Sequence, residues 1–215
     1  MSEQPAVYEF HHEDETHLET NPVLNRVWHR IGVQPTLPAA GTNRRVTDFG
    51  SVEIFGRGRV EVVCATQDSA AFQLYLDALD VRHRETGREV FLALDQSPCH
   101  TSKASQAALA QREGWLHVIW LAKYSPKLSK KEREWRYLKR DVRGHLARTL
   151  RGFVDEILAG LRRLGGERLD IVDRVPDWFL AGHRRPPTGR PRGRPRGAKD
   201  SVPRAKRCTN LPAPT

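Results

Sequence analysis

The segment Glu89–Asp95 reads EVFLALD, an apolar run that does not alternate and that stops on an acid. A strand with one face in water shows apolar and polar residues in turn. An unbroken run is covered on both faces, as in a central strand of a sheet flanked by helices. The surrounding segments fit that frame. Val46–Phe55 and Arg59–Thr66 have strand composition and are joined by Gly56-Arg57-Gly58, the pattern of a hairpin. Asp68–Arg84 spaces Ala71, Phe72, Leu74, Tyr75, Leu76 and Leu79 near helical intervals behind Asp68 as N-cap. A short strand is expected at Val7–His12, a helix near Ser102–Glu113 and a strand at Leu116–Leu121. A further helix should run from Ser129 past Trp135 and Leu138 towards Leu146, and an amphipathic one over Arg151–Leu164. The order of appearance, βββαβαβα, describes an α/β protein with a mixed sheet and helices on its faces.

Three acids stand where such a sheet converges its strand ends. Asp14 follows the first strand, Asp95 ends the apolar strand, and Glu132 lies in the first turn of the helix after the last strand. Adjacent strand ends are about 4.8 Å apart, so two carboxylates there can share a cation, and a helix over that edge can bring a third. Three carboxylates leave coordination positions for water and phosphate, which suits magnesium. Spacing alone does not single them out from 26 acids, because an acid at a strand end or helix start is often a cap.

Local context does. Around Asp95 the chain reads FLALDQSPCHTSKA, and around Glu132 it reads WLAKYSPKLSKKEREWRYLKRDV. These segments resemble the paired signatures of the mariner superfamily of transposases, within the DDE superfamily endonucleases, and especially its bacterial insertion-sequence branch. The separation of the two acids, 37 positions, is close to that family's short interval. HEDETHL, followed by Pro22, Trp28 and Gly32, is similar to the family's first Asp-Glu motif and assigns the ligand role to Asp14 rather than Glu13 or Glu15. The resemblance spans roughly Val7–Leu164.

It implies a ribonuclease-H-like catalytic domain over residues 1–165, in which Asp14, Asp95 and Glu132 hold two Mg2+ ions, with Mn2+ able to substitute. The implied activity is DNA cleavage followed by strand transfer, with insertion at TA. His100 matches the motif's histidine, and two roles stay open for it: approach to the scissile phosphate, or a hydrogen bond that orients its loop. Gln96 departs from the usual Asn, and Lys130 and Lys131 replace the Pro-x before the Glu, putting two cations beside Glu132. Trp135 and Tyr137 can stack on unpaired bases, and Trp135 also suits the core.

Charge separates the chain into two parts. Of a net charge of +10, +9 lies in His183–Thr215, so a near-neutral body carries a strongly basic tail that points to a polyanion. Thr188–Gly197, TGRPRGRPRG, resembles the AT-hook, a minor-groove element in which Arg190, Arg192, Arg194 and Arg196 would contact DNA. Residues 166–187 are expected as a linker and 188–215 as a tail that is disordered when alone. Cys64, Cys99 and Cys208 show no CxxC spacing and read as reduced thiols. No run approaches the roughly 20 apolar residues of a membrane span, and the first residues lack a secretory signal, so a cytoplasmic, nucleoid-associated protein is expected. The implied partners are duplex DNA and a second copy on that DNA. Only about six residues precede the first expected strand, so a helix-turn-helix region is expected from an upstream product or a fused N-terminal part. Two other readings fit the same residues: an inactive relic kept as a DNA-binding module, and a ribonuclease H-type nuclease.

Overall fold

The computed structural model describes residues 8–21, 30–32, 36, 43–122, 131–142 and 149–182. In chain order the elements are β1 (Tyr8–Glu19), β2 (Arg45–Glu53), β3 (Gly58–Cys64), α1 (Ser69–Thr86), β4 (Glu89–Leu94), α2 (Pro98–Thr101), α3 (Lys103–Ala110), β5 (Leu116–Trp120), α4 (Lys131–Val142), α5 (Leu150–Arg163), β6 (Arg168–Asp173) and α6 (Asp177–Leu180). The six strands form one sheet in the order β5-β4-β1-β2-β3-β6. β1 pairs antiparallel with β2, and β2 with β3; the β1–β4, β4–β5 and β3–β6 pairs are parallel. This is the expected mixed sheet with flanking helices, of the ribonuclease-H-like kind.

Local chemistry sets the boundaries. The Asp68 carboxylate accepts from the Ala70 and Ala71 N–H groups and starts α1; Gly87, at φ 65°, ends it in the left-handed conformation that a side chain disfavours. Ser102 caps α3 through the Ser105 N–H, and Thr149 caps α5 through the Gly152 N–H. Side chains then sort by strand alternation. Phe49, Val60, Val62, Val90, Leu92 and Leu94 face α1 and α3 in one core. Leu18, Val46 and Val63 face α4, α5 and α6 in the other. Each fully buried Val, Leu or Phe contributes about 1.5–3 kcal/mol, so the two cores clamp the sheet between helical layers.

Three expectations change. β1 does not stop at His12 but runs through the acids to Glu19, held on both sides by β2 and, at its start, β4. The helix expected near Ser102–Glu113 is α3, which ends sooner, at Ala110, and an unexpected short helix, α2, precedes it across the extended Ser102. Arg168–Asp173, within the expected linker of residues 166–187, is the edge strand β6. Its sequence, RLDIVD, is charged and each residue is only partly buried, so it carries little of the apolar signal that betrays a central strand. Lys130, Pro22, Trp28 and the tail arginines lie outside the described residues. Among the described residues no helix is long and apolar enough to cross a membrane.

Candidate functional site

The pleat of β1 sends Glu13 and Asp14 to opposite sides of the sheet. Odd-numbered residues face the α1 layer: Glu9 pairs with Arg82 of α1, His11 bonds Ser51, and Glu13 lies 3.3 Å from His100 of α2. Even-numbered residues face α4, where Leu18 joins the second core. Asp14 therefore stands on the α4 side, half-buried, as the one carboxylate of the Glu13-Asp14-Glu15 run on that face.

Asp95 follows β4, whose pairing with β1 is parallel with Phe10 opposite Phe91 and His12 opposite Ala93. The paired register ends at His12 and Ala93, two residues before Asp14 and Asp95. The stacked Phe10 and Phe91 rings, 4.7 Å apart, mark the shared face earlier on the same two strands. Asp95 Oδ1 accepts from the Ser97 N–H at 2.8 Å and from His100 Nδ1 at 2.9 Å. The His100 hydrogen bond holds the Asp95 carboxyl below its usual range, against the opposing effect of burial and helped by Ser97. The Asp95 side chain is nevertheless 60% exposed.

His100 itself is wholly buried. Its Nδ1 faces only acceptors, the Asp95 carboxylate and carbonyl, so Nδ1 carries the proton. Burial alone would lower its pKa; the bond to Asp95 and the charge of Glu15 outweigh this and raise it. Its ring packs against Phe72 and is surrounded by the carboxylates of Asp95, Glu13 and Glu15.

α4 brings the third acid. Lys131, Trp135, Leu138 and Val142 are buried at spacings of four, three and four, so this stripe lies on the sheet. Glu132 is exposed on the flank, and with Asp14, Thr16, Trp135, Arg136 and Lys139 it lines an open cleft of about 410 Å³. Glu15 borders the same cleft, but its Oε1 is engaged by Cys99 Sγ and Gln67 Nε2. The structure thus brings Asp14 and Glu132 to one cleft, and places Asp95 just past the end of β4, the strand parallel to β1. Trp135 is core, under Lys131 Nζ at 4.4 Å from its ring centre, while Tyr137 is exposed. Gln96 is exposed and donates to the Leu121 carbonyl.

Lys131 does not stand beside Glu132 as the sequence suggested. It points under the helix into a fully buried ion pair with Glu61 of β3, and Nζ lies 3.0 Å from Glu134. Burial raises the Glu61 carboxyl to about 7 in spite of Lys131, and burial together with the Glu61 charge pushes Asp48 of β2 well above its usual range. Gly50, opposite Glu61, makes room: an added Cβ there would come 2.7 Å from Lys131 Cε and closer still to Glu61 and Trp135.

Four residues of this region were not singled out in the sequence. Arg136 and Lys139 follow Glu132 by four and seven, the spacing of one helix face, which is a legible signal. Asp48 and Glu61 sit on alternating strand positions that face the α4 core, and only the pairing of β2 with β3 brings them together.

The carboxylate oxygens of Asp14, Asp95 and Glu132 are hard donors, exposed at Asp95 and Glu132 and half-buried at Asp14, and both hydrogen bonds to Asp95 described above fall on Oδ1, leaving Oδ2 for a cation. That donor set fits Mg2+ or Mn2+.

Comparison with known proteins adds three findings. A family model described as DDE superfamily endonuclease matches residues 10–152. Solved structures with the same fold include a Mos1 transposase paired-end complex with the left transposon end, 17% identical over 74% of this chain and 52% of that one, TM-score 0.53. Others are the Mos1 mariner paired-end complex with Mn, 18% identical over 72% and 52%, TM-score 0.51, and the Mos1 strand transfer complex, 21% identical over 71% and 48%, TM-score 0.50. The chain spans about half the length of these proteins. No curated protein matches it.

Proposed function

Because this chain belongs to the DDE superfamily endonucleases, we propose that it is a transposase catalytic domain that cuts DNA and joins the freed 3′-hydroxyl to a target. The observation that carries the reading is that Asp14 and Glu132 line one cleft while Asp95 follows β4, the strand that runs parallel beside β1. Asp14, Asp95 and Glu132 would hold two divalent ions, which when bound supply an activated water or 3′-hydroxyl and stabilise the departing oxygen.

The chain's own residues do the rest. Ser97 and His100 fix Asp95 through Oδ1, so its other oxygen is presented in one orientation. His100 acts as a positioning residue. Arg136 and Lys139, on the Glu132 face of α4, offer cations to the phosphates of a strand lying in the cleft. The burial of Lys131 in an ion pair with Glu61 turns its charge under the helix. In the tail, Arg190, Arg192, Arg194 and Arg196 are assigned to the minor groove, supported by the alternation of Gly, Arg and Pro. Action as a pair of copies on duplex DNA is part of the same proposal.

The test supplies the chain with a duplex already carrying a free 3′-hydroxyl end and a supercoiled target, in Mg2+ or Mn2+. Joined product supports transposase chemistry. A protein that binds the duplex and yields none in either metal is a relic, and preferential cutting of an RNA·DNA hybrid makes it a ribonuclease H.

A further inference from the structure

Behind the proposed catalytic face, on the α1 side of the sheet, lies a second group of metal-type donors. Cys99 Sγ and His100 Nε2 from α2 and Glu15 Oε1 from β1 all lie within 4.8 Å of one another. Cys99 Sγ is 2.8 Å from Glu15 Oε1, and His100 Nε2 is 3.3 Å from both Glu15 Oε1 and Glu13 Oε2. Tetrahedral zinc, with bonds of about 2.0 Å to nitrogen or oxygen and about 2.3 Å to sulfur, separates its ligands by about 3.3–3.5 Å. The histidine–carboxylate distances already match, and the Cys99–Glu15 distance has to open by less than about 1 Å.

An independent observation points into the same space. Glu13 is 2% exposed, and neither of its carboxylate oxygens, nor His100 Nε2, has a hydrogen-bond partner. Buried polar atoms are otherwise hydrogen-bonded nearly always, so Glu13 and His100 Nε2, which approach to 3.3 Å without a hydrogen bond, leave polar capacity for an occupant. The far nitrogen of the same histidine already donates to Asp95, the carboxylate–histidine arrangement that orients an imidazole towards a metal.

We propose that Cys99, His100, Glu15 and Glu13 form a closed structural site for a zinc-type cation, which ties β1 to α2 and, through His100, fixes Asp95. Thiolate and imidazole donors select such an ion over magnesium. Four protein ligands in a buried pocket leave no open position, so the role is structural. On binding, the Cys99 thiol proton now directed at Glu15 leaves to solvent, as does any proton on Glu13 or on His100 Nε2, so thiolate, carboxylates and neutral imidazole enter as ligands. The proposal does not depend on the transposase reading, because none of its ligands is among the three acids assigned to DNA cleavage.

The test expresses the full chain in zinc-supplemented medium, desalts it and measures metal by mass spectrometry, then repeats the growth with Co2+ and records the absorption spectrum. About one equivalent of zinc is expected, and a thiolate-to-cobalt charge-transfer band in the Co2+ protein. Cys99→Ser, nearly isosteric, should lose the band and bind Co2+ at least 100-fold more weakly, more than about 10–100-fold for an outer partner. Cys64→Ser and the Asp14→Asn/Glu132→Gln double variant should keep both metal and band. Circular dichroism verifies folding of each variant. Folded wild-type chain that retains no zinc, a cobalt spectrum without the band, or a band that survives Cys99→Ser overturns the site.

Discussion

Lys131→Met isolates the buried ion pair that seats α4. The lysine and Glu61 are both essentially without solvent contact, and Glu61 shares its surroundings with the equally buried Asp48. Removing the cation alone keeps most of the side-chain volume but leaves Glu61 uncompensated, a change that costs about 3–5 kcal/mol. Loss of the cation over Trp135 adds up to about 2 kcal/mol. With a urea dependence of roughly 2 kcal/mol per molar, the unfolding midpoint should fall by about 2 M, a large part of a typical total of about 5–15 kcal/mol. Glu61→Met in the same chain should restore most of the loss, because replacing both members of a buried pair by apolar groups is close to neutral. Urea titrations of the wild type, both single variants and the double variant, followed by tryptophan fluorescence, give the coupling energy. A midpoint shift below about 0.5 M for Lys131→Met, or no recovery in the double variant, refutes the assignment of this pair as the anchor of α4.

Gly50→Ala should destabilise the chain by about 1–3 kcal/mol, since the new methyl meets Glu61, Trp135 and Lys131; urea unfolding measures it, and an unchanged midpoint contradicts the close packing described. Glu9 gives a pH dependence: burial would raise its carboxyl, but hydrogen bonds from His11 and Arg82 and the Arg82 charge hold it at about 2 against an ordinary 4.5. Its contribution, about 3 kcal/mol, is therefore complete above pH about 4.5 and is lost as the pH falls towards 2. Arg82→Leu should flatten the decline in stability between pH 5 and pH 3, and an identical decline in both chains denies Arg82 that role. Deleting residues 184–215 should reduce the slope of log affinity for duplex DNA against log salt; an equal slope places the phosphate contacts in the body.

The sheet was legible because its central strand is apolar throughout: EVFLALD announces burial on both faces, and β4 lies between β1 and β5. Hairpin and cap chemistry located β2, β3 and α1 almost to the residue. β6 was not legible, since an edge strand with Arg168, Asp170 and Asp173 looks like a linker until β3 pairs with it. The acids Asp14, Asp95 and Glu132 could be named from local motifs, but the reason Asp14 differs from Glu13 is the face of β1 on which each falls, which depends on β1 continuing as strand past His12. Lys131 shows the converse limit. Adjacent in sequence to Glu132, it is turned by the helix onto the sheet, and its partner lies 70 residues away in β3.

The central claim is that Asp14, Asp95 and Glu132 act as one metal-dependent cutting centre, and the most direct measurement is strand cleavage by Asp95→Asn. The change keeps the shape of the side chain and removes its charge, so the urea midpoint and duplex affinity should stay near wild type. Nicking of a duplex carrying the element's ends, in Mg2+ or Mn2+, should fall by more than about 100-fold, beyond what losing an outer-shell partner costs. Asp14→Asn and Glu132→Gln should match it. Cleavage within threefold of wild type by folded Asp95→Asn chain would contradict the account.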